Sequence, residues 1–261
     1  MTIMAREDAR PTKFPLLVLV AVILFFAVRA PAETTNTLSD AEIQGRQLAQ
    51  QLCESQPAEN FTNSGVLKIR SSKGVTTNIP IQFSIRLAQT NWATIYETVS
   101  QSPGTFLIVT HQLKHNKYLI MEGDFLLPDP PCRLLNNNES AAPFLSSDFS
   151  IADLGLEFFH WPSQKVLPKT TNLKRGRAYT LLESTNPNPS TNGYSRVLSW
   201  IDKESGGILE AEAYDFNGKL LKDFAPKSFK KVNGQWQLQE MEIRNDQTGS
   251  RTRLEFDLKQ P

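Results

Sequence analysis

Apolar and polar side chains alternate along several short stretches of this chain, most regularly at residues 79–87 and 253–258. A period of two predicts a β-strand with one buried face. In the second stretch this spacing places Leu254, Phe256 and Leu258 on the same side. Runs rich in β-branched and aromatic residues predict further strands at residues 66–70, 92–99, 105–111, 117–121 and 177–183. The short links between many of these strands predict an antiparallel meander.

Turn signals divide the strand-like segments. Asn217-Gly218 and Asn233-Gly234 accept the positive φ of two-residue hairpin loops, so we expect hairpin tips at both dipeptides. Residues 124–138 instead contain a cluster of prolines and a run of asparagines. Because proline cannot donate to a strand ladder and asparagine favours turns, this segment is predicted to be a loop.

Two stretches have helical spacing instead. Ser39 and Glu42 are placed as a capping box, and apolar residues then recur at helical positions up to Cys53. A second apolar stripe covers residues 147–159 and ends before Pro162. A total of about eleven strands and two helices predicts a mainly β fold, in which a strongly curved antiparallel sheet rolls towards a barrel. The first helix is N-terminal and the second is inserted among the strands.

The N-terminus has the pattern of an export signal. Arg6, Arg10 and Lys13 precede an apolar run at residues 14–28, and Ala30-Pro31-Ala32 provides small residues at a cleavage site. The run is shorter than the ~20 residues that a membrane-spanning helix needs. We therefore expect residues 1–32 to be a cleaved signal peptide, with a retained anchor as the alternative, and residues 33–261 to form one periplasmic domain.

Composition and cysteines narrow the chemistry. A formal net charge of +1 argues against a nucleic-acid partner, because such binding relies on an excess of cations. Cys53 and Cys132 are the two cysteines of the chain. An oxidising compartment would allow them to form a disulfide, and the open alternative is that both are small buried apolar residues. No compact Cys/His cluster is present, so no metal site is expected.

Signatures of catalysis are missing from the sequence. It contains no GxSxG elbow, no HExxH and no glycine-rich phosphate loop. His111 and His115 are four residues apart, but they lie in or beside a predicted strand and are interpreted as structural or surface residues. We expect neither enzymatic activity nor a cofactor.

Four segments in the C-terminal half are similar to a known family. They are FLSSDFSIADL at residues 144–154, YSRVLSWIDKE at 194–204, YDFNGKLLK at 214–222 and QTGSRT at 247–252. Together they resemble the outer-membrane lipoprotein-sorting proteins of the LolA-like group. The resemblance implies an unclosed antiparallel β-barrel whose hollow is covered by helices. It also implies a monomeric carrier or chaperone that binds lipid or the acyl chains of lipoproteins reversibly.

The resemblance suggests which residues surround a lipid cavity. Phe149, Leu154, Phe158 and Phe159 are assigned to a lid helix. Phe83, Trp92, Phe106 and Trp200 are assigned to the walls, with Val197 and Ile201 as the competing inward set on the strand of Trp200. Ordinary core packing is the alternative for each of these residues.

A second function remains open. In this alternative, the chain is an accessory or structural subunit of an inner-membrane exporter. It would recognise protein rather than lipid, through a sheet edge or the barrel mouth. Lysines near two hairpins, among them Lys227, Lys230 and Lys231, form a candidate basic patch for anionic headgroups or an acidic partner.

Overall fold

A single antiparallel sheet of thirteen strands dominates the part of the chain that the computed structural model describes, residues 38–99, 103–123, 131–169, 171, 173–190, 193–232 and 235–258. The strands are β1 Phe61–Arg70, β2 Thr76–Leu87, β3 Trp92–Thr98, β4 Gly104–His111, β5 Lys117–Gly123, β6 Cys132–Leu134, β7 Ser163–Leu167, β8 Tyr179–Thr185, β9 Arg196–Asp202, β10 Ile208–Tyr214, β11 Leu220–Val232, β12 Gln235–Asn245 and β13 Arg251–Asp257. Their order is β6-β5-β4-β3-β2-β1-β13-β12-β11-β10-β9-β8-β7. The predicted mainly β, antiparallel architecture is therefore confirmed.

The order of the strands explains why the sheet does not close. Every pair of neighbours is consecutive in sequence except β1 and β13, which pair between Ser64 opposite Asp257 and Arg70 opposite Arg251. The consecutive strands β6 and β7 consequently lie at opposite edges of the sheet. Residues 135–162, here called the crossing segment, connect one edge to the other. These two short edge strands are also the ones that the sequence prediction missed.

The alternating patterns assign the buried face correctly. Ile79, Ile81, Phe83 and Ile85 on β2 are buried, as is Leu254 on β13. The face that carries these residues packs against the crossing segment and is called the inner face. At the β10–β11 hairpin, Gly218 adopts a φ of +74°, as the Asn-Gly signal predicts. The second dipeptide, Asn233-Gly234, lies outside the described residues.

The N-terminal helix α1 spans Asp40–Glu54, and the predicted capping box is present. The Ser39 hydroxyl accepts from the Glu42 amide at 3.4 Å, while the Glu42 carboxylate accepts from the Ser39 amide at 2.8 Å. The helix lies so close to β7 that a Cβ atom on Gly45 would be 2.5 Å from the backbone nitrogen of Lys165. Glycine at this position is what permits the close approach.

The prediction of a lid helix at residues 147–159 is wrong, because the segment does not form an α-helix there. The crossing segment contains one short helix, α2 Asn137–Ser140, and three 3₁₀ turns at Phe144–Ser146, Asp153–Gly155 and Glu157–His160. Leu156 interrupts the stripe with a φ of +51°. The Gly155 carbonyl accepts from the Asn116 side chain at 2.7 Å, so tertiary hydrogen bonds replace the i to i−4 ladder there.

Two expectations concern the N-terminal part. The signal peptide at residues 1–32 lies outside the described residues and stays a prediction. Within the described range, none of the helices has both the length and the apolar character needed to cross a bilayer. The described residues belong to the compact unit Leu38–Pro261.

Replacing Gly45 with alanine is expected to destabilise the protein, although alanine is the better helix former by about 1 kcal/mol. The added methyl group would overlap the β7 backbone, and overpacking of this kind costs about 1–3 kcal/mol. Urea denaturation followed by circular dichroism measures the change. The control is Gln47→Ala at an exposed position of the same helix. A Gly45→Ala protein as stable as the wild type would contradict the close contact.

Candidate functional site

Two adjoining apolar cavities lie on the inner face of the sheet. The larger, about 440 Å³ and partly open to solvent, is bordered by β3, β4 and β11 on the sheet side, by Leu154 and Phe159 of the crossing segment, and by the end of α1. The smaller, about 360 Å³, lies between β1–β3 and β12–β13. Both are lined by Tyr96, Leu238 and Met241. Because strands as far apart in the sheet as β4 and β10 line one cavity, the sheet must be strongly curved.

Four of the predicted residues line these cavities. Phe83 lines the smaller cavity, while Trp92, Leu154 and Phe159 line the larger. Phe149 is fully buried and packs edge-on against Phe224, with ring centroids 6.4 Å apart.

Phe158 is a mixed case. It is buried beside Phe159, with ring centroids 4.5 Å apart, and it borders a separate, more polar pocket rather than either of the two apolar cavities. The role of the crossing segment as a movable lid stays a prediction.

Phe106 and Trp200 do not belong to the inner face. On β4 the buried inner positions are Leu107 and Val109, so the intervening Phe106 side chain lies on the opposite face. Trp200 packs with Tyr179 and Leu181 in a separate cluster.

The Lys174 ammonium lies 4.0 Å from the centre of the Trp200 ring on that outer face. Val197 and Ile201, the competing set, pack against Phe158 and Phe159. The sequence could not decide between the faces because both sides of β9 carry apolar residues.

Several lining residues were missed by the sequence analysis. Phe83 has its ring centroid 5.1 Å from those of Tyr96 and Phe256 and 5.7 Å from that of Phe61. Burial raises the pKa of Tyr96, so its hydroxyl stays neutral. The period-two pattern of β3 and β13 could have identified Tyr96 and Phe256 once the face of Trp92 and Leu254 was known.

One wall of the larger cavity is polar but uncharged. The His111 ring stacks on Trp92 with centroids 3.7 Å apart, and its Nε2 lies 3.2 Å from the Thr94 hydroxyl. Burial lowers the pKa of His111 to about 4, so the imidazole is neutral at pH 7. This wall therefore presents dipoles rather than a charge to the cavity.

A buried hydrogen-bonded group connects the sheet to the crossing segment. The Tyr118 hydroxyl donates to the Glu157 carboxylate at 2.8 Å, and burial raises the pKa of Glu157. Asn116, which lines the larger cavity, donates to the Tyr118 oxygen at 3.3 Å, but its own Oδ1 has no partner within the described residues. The orphaned acceptor of Asn116 belongs to the larger apolar cavity, whereas the half-buried Glu157 borders the separate, more polar pocket.

The two cysteines are free thiols rather than a disulfide. Cys53 lines the larger cavity, and its sulfur lies 3.7 Å from both ring nitrogens of His160. Burial raises the pKa of the Cys53 thiol to about 11, which leaves it protonated and weakly nucleophilic. Cys132 is exposed on β6. In the described part of the chain no three His, Cys, Asp or Glu residues are grouped as a metal site would require.

The crossing segment is held at Asp148 by buried hydrogen bonds. The Asp148 carboxylate accepts from the hydroxyls of Thr252 at 2.8 Å and Ser250 at 2.5 Å, and the Asp148 amide donates to the Thr252 hydroxyl at 2.9 Å. The Lys222 ammonium donates to the Asp148 carbonyl at 2.7 Å. These contacts fix the segment to the ends of β11 and β13.

A second attachment is made at Asp153. Its carboxylate accepts from the Tyr194 hydroxyl at 2.8 Å and from the Ser150 amide at 2.7 Å, and it lies 3.7 Å from the Lys222 ammonium. The residues of both attachments come from the four segments that carry the family resemblance. The polar residues of those four segments therefore hold the crossing segment against the sheet.

Comparisons with known proteins agree with this architecture. A protein family described as "Uncharacterized protein" matches residues 131–259. No curated protein matches the sequence.

Solved structures with low sequence identity share the fold. A domain named as an outer membrane lipoprotein-sorting protein, from Vibrio parahaemolyticus, has a TM-score of 0.68 at 17% identity, covering 83% of this chain and 92% of that one. A DUF1329 family protein from Desulfovibrio piger has a TM-score of 0.65 at 18% identity, with 84% and 92% covered. A LolA superfamily protein from Nitrosomonas europaea has a TM-score of 0.56 at 14% identity, with 84% and 93% covered. The resemblance to the LolA-like group is thus confirmed at the level of the fold.

Thr252→Val is expected to loosen the attachment of the crossing segment. The variant keeps the shape of the side chain but removes a hydroxyl that both donates to and accepts from Asp148 in a fully buried position. A lost hydrogen bond to a charged group costs about 1.5–3 kcal/mol of unfolding free energy. Urea denaturation measures this change, and amide hydrogen exchange at Asp148 localises it. Thr76→Val at an exposed position of β2 is the matched control. If Thr252→Val lowered the free energy of unfolding by no more than the control does, the attachment would be refuted.

Stability is expected to fall as the pH is lowered from 6.5 to 4. In this window the unfolded chain protonates His111 but the folded protein does not, because burial lowers the pKa of this residue from 6.5 to about 4. The loss is on the order of 2 kcal/mol. His111→Phe retains stacking on Trp92 and should flatten the dependence of unfolding free energy on pH, whereas His115→Phe at an exposed position should not. Equal slopes in all three proteins would show that His111 titrates normally.

Proposed function

We propose that this protein is a periplasmic carrier or chaperone that binds lipid, or the acyl chains of lipoproteins, reversibly in the hollow of its curved sheet. The observation that supports this most directly is the pair of adjoining apolar cavities of about 440 and 360 Å³. Volumes of about 300–1,000 Å³ are typical of sites that enclose a small ligand. Sorting towards the outer membrane is part of the proposal because a solved structure of the same fold is named for that process.

Energetics favour an acyl chain as the occupant. Burial of each methylene group is worth about 0.8 kcal/mol, so a 16-carbon chain exposed to water costs on the order of 12 kcal/mol. The walls provided by Phe83, Trp92 and Met241 are apolar or aromatic, and the nearby imidazole of His111 is neutral. A carrier with such walls lowers the cost of moving the chain through an aqueous compartment. The lid and wall roles of Leu154 and Phe159 belong to this proposal.

The accessory-subunit alternative has one supporting feature. The edge strand β6, Cys132–Leu134, is exposed along its whole length, and an exposed edge can accept a strand from another protein. It does not explain the adjoining cavities, so the carrier function is preferred.

Met241→Trp is expected to weaken the binding of a fluorescent fatty acid by about tenfold or more. Met241 lines both cavities, so the larger tryptophan side chain would occupy space that the fatty acid needs. Displacing only two methylene groups of the fatty acid would cost about 1.6 kcal/mol of binding free energy, which is slightly more than tenfold in affinity. Equilibrium fluorescence titration measures the affinity, and thermal unfolding verifies that the variant is folded. The control is Leu113→Trp on an exposed loop.

The wild-type titration also separates the two functions. Saturable binding that Met241→Trp weakens supports the carrier. A folded wild-type protein that binds no fatty acid would overturn it and favour recognition of protein.

A further inference from the structure

The hairpin formed by β11 and β12 extends past the paired parts of its neighbours. These two strands pair with each other as far as Val232 opposite Gln235. By contrast, β10 pairs with β11 only as far as Phe224, and β13 pairs with β12 only as far as Glu240. In the described chain, residues 229–232 and 235–238 therefore pair only with each other. These residues are called the hairpin arm.

The hairpin arm exposes large aromatic side chains on one face. Trp236 is 71% exposed and Phe229 is 55% exposed. Lys231 pairs opposite Trp236 and Phe229 pairs opposite Leu238, so these four residues share a face because alternate strand positions point the same way. Phe229 and Leu238 also line the larger cavity. The exposed aromatic surface is therefore continuous with the mouth of the hollow.

The charge that remains on the hairpin arm is positive. Lys227, just before the arm, is paired with Glu242 at 2.9 Å, so this part of the predicted basic patch is neutralised. The Lys230 ammonium instead contacts the backbone carbonyl of Leu258, a group without net charge. Lys231 is exposed beside Trp236. The exposed aromatic face of the arm thus carries one cation, Lys231, while Lys230 opposite Gln237 lies on the other face.

We propose that the hairpin arm docks on the surface of an anionic phospholipid bilayer. Trp236 and Phe229 enter the interface between headgroups and acyl chains, where amphipathic aromatic rings are favoured. Lys231, on the same face as the rings, contacts the phosphates of the headgroups, and Lys230 on the opposite face adds positive charge at short range. Docking in this way places the mouth of the larger cavity at the lipid, which, resting on the proposed carrier function, is where an acyl chain would enter or leave.

A protein partner with an apolar surface is the competing occupant. Complementary charge favours the bilayer, because an anionic lipid surface would bind the aromatic rings and the neighbouring Lys231 simultaneously. The two occupants differ in a measurable way: only a bilayer would attract the isolated protein to vesicles in proportion to their negative charge and less strongly at high salt.

Sedimentation with phospholipid vesicles tests the proposal. The full-length mature protein is mixed with vesicles of phosphatidylcholine alone or of phosphatidylcholine containing phosphatidylglycerol. We expect binding to the anionic vesicles that decreases with added salt. Trp236→Ser should weaken this binding by about tenfold or more. Lys231→Glu replaces attraction with repulsion and should weaken it by about thirtyfold at low salt.

Phe216→Ser is the matched control. Phe216 is 61% exposed on the β10–β11 turn, at the other end of β11, and its replacement should leave vesicle binding unchanged. Equal binding to neutral and anionic vesicles, or equal loss in Trp236→Ser and Phe216→Ser, would overturn the proposal.

Titration with the fluorescent fatty acid keeps this test independent of the carrier function. Trp236 does not line either apolar cavity, so Trp236→Ser should retain wild-type affinity for the fatty acid. Vesicle binding without fatty-acid binding would refute the carrier and leave the docking surface standing. Fatty-acid binding by a protein that ignores anionic vesicles would refute the docking surface alone.

Discussion

The attachment of the crossing segment to the sheet is the constraint on which the rest of the structure depends. Because β6 and β7 lie at opposite edges, the chain between them must pass across the inner face. Asp148 and Asp153 hold it there through buried hydrogen bonds to β13, β11 and Tyr194. A curved sheet with a segment fixed across it has space left between the two. The cavities are therefore a result of the topology and do not require unusual packing within any one strand.

This constraint also changes the meaning of the family resemblance. The four similar segments carry the resemblance to a family of lipid carriers, yet their polar residues assemble the attachment. Most residues that line the two apolar cavities, such as Tyr96 and Met241, lie outside those segments. Apolar walls can tolerate exchange among large side chains of similar volume, whereas a buried carboxylate requires particular partners. Sequence similarity in the four segments is thus better evidence for the fold than for the identity of a bound molecule.

Sequence patterns predicted the strands well and the crossing segment poorly, for identifiable reasons. Period-two alternation assigned Phe83 and Leu254 to the buried face because only one side of β2 and β13 is apolar. Phe106 and Trp200 were misplaced because apolar residues occupy both sides of β4 and β9, and only tertiary contacts distinguish them. The helical spacing at residues 147–159 was real, but side chains more than thirty positions away, such as Asn116, hydrogen-bond to the backbone there and determine its conformation. Strands β6 and β7 are too short to produce a pattern.

The adjacency of the first and last strands has a consequence for biogenesis. Two meanders, β1–β6 and β7–β13, can each form from neighbouring hairpins, but they join only through β1 and β13. Contacts this distant along the chain make folding slow, since a large loop must close before they form. A nascent polypeptide has no complete sheet until its final strand has emerged. Synthesis must therefore finish before the hollow exists, so the apolar inner face stays uncovered until the last strand has paired.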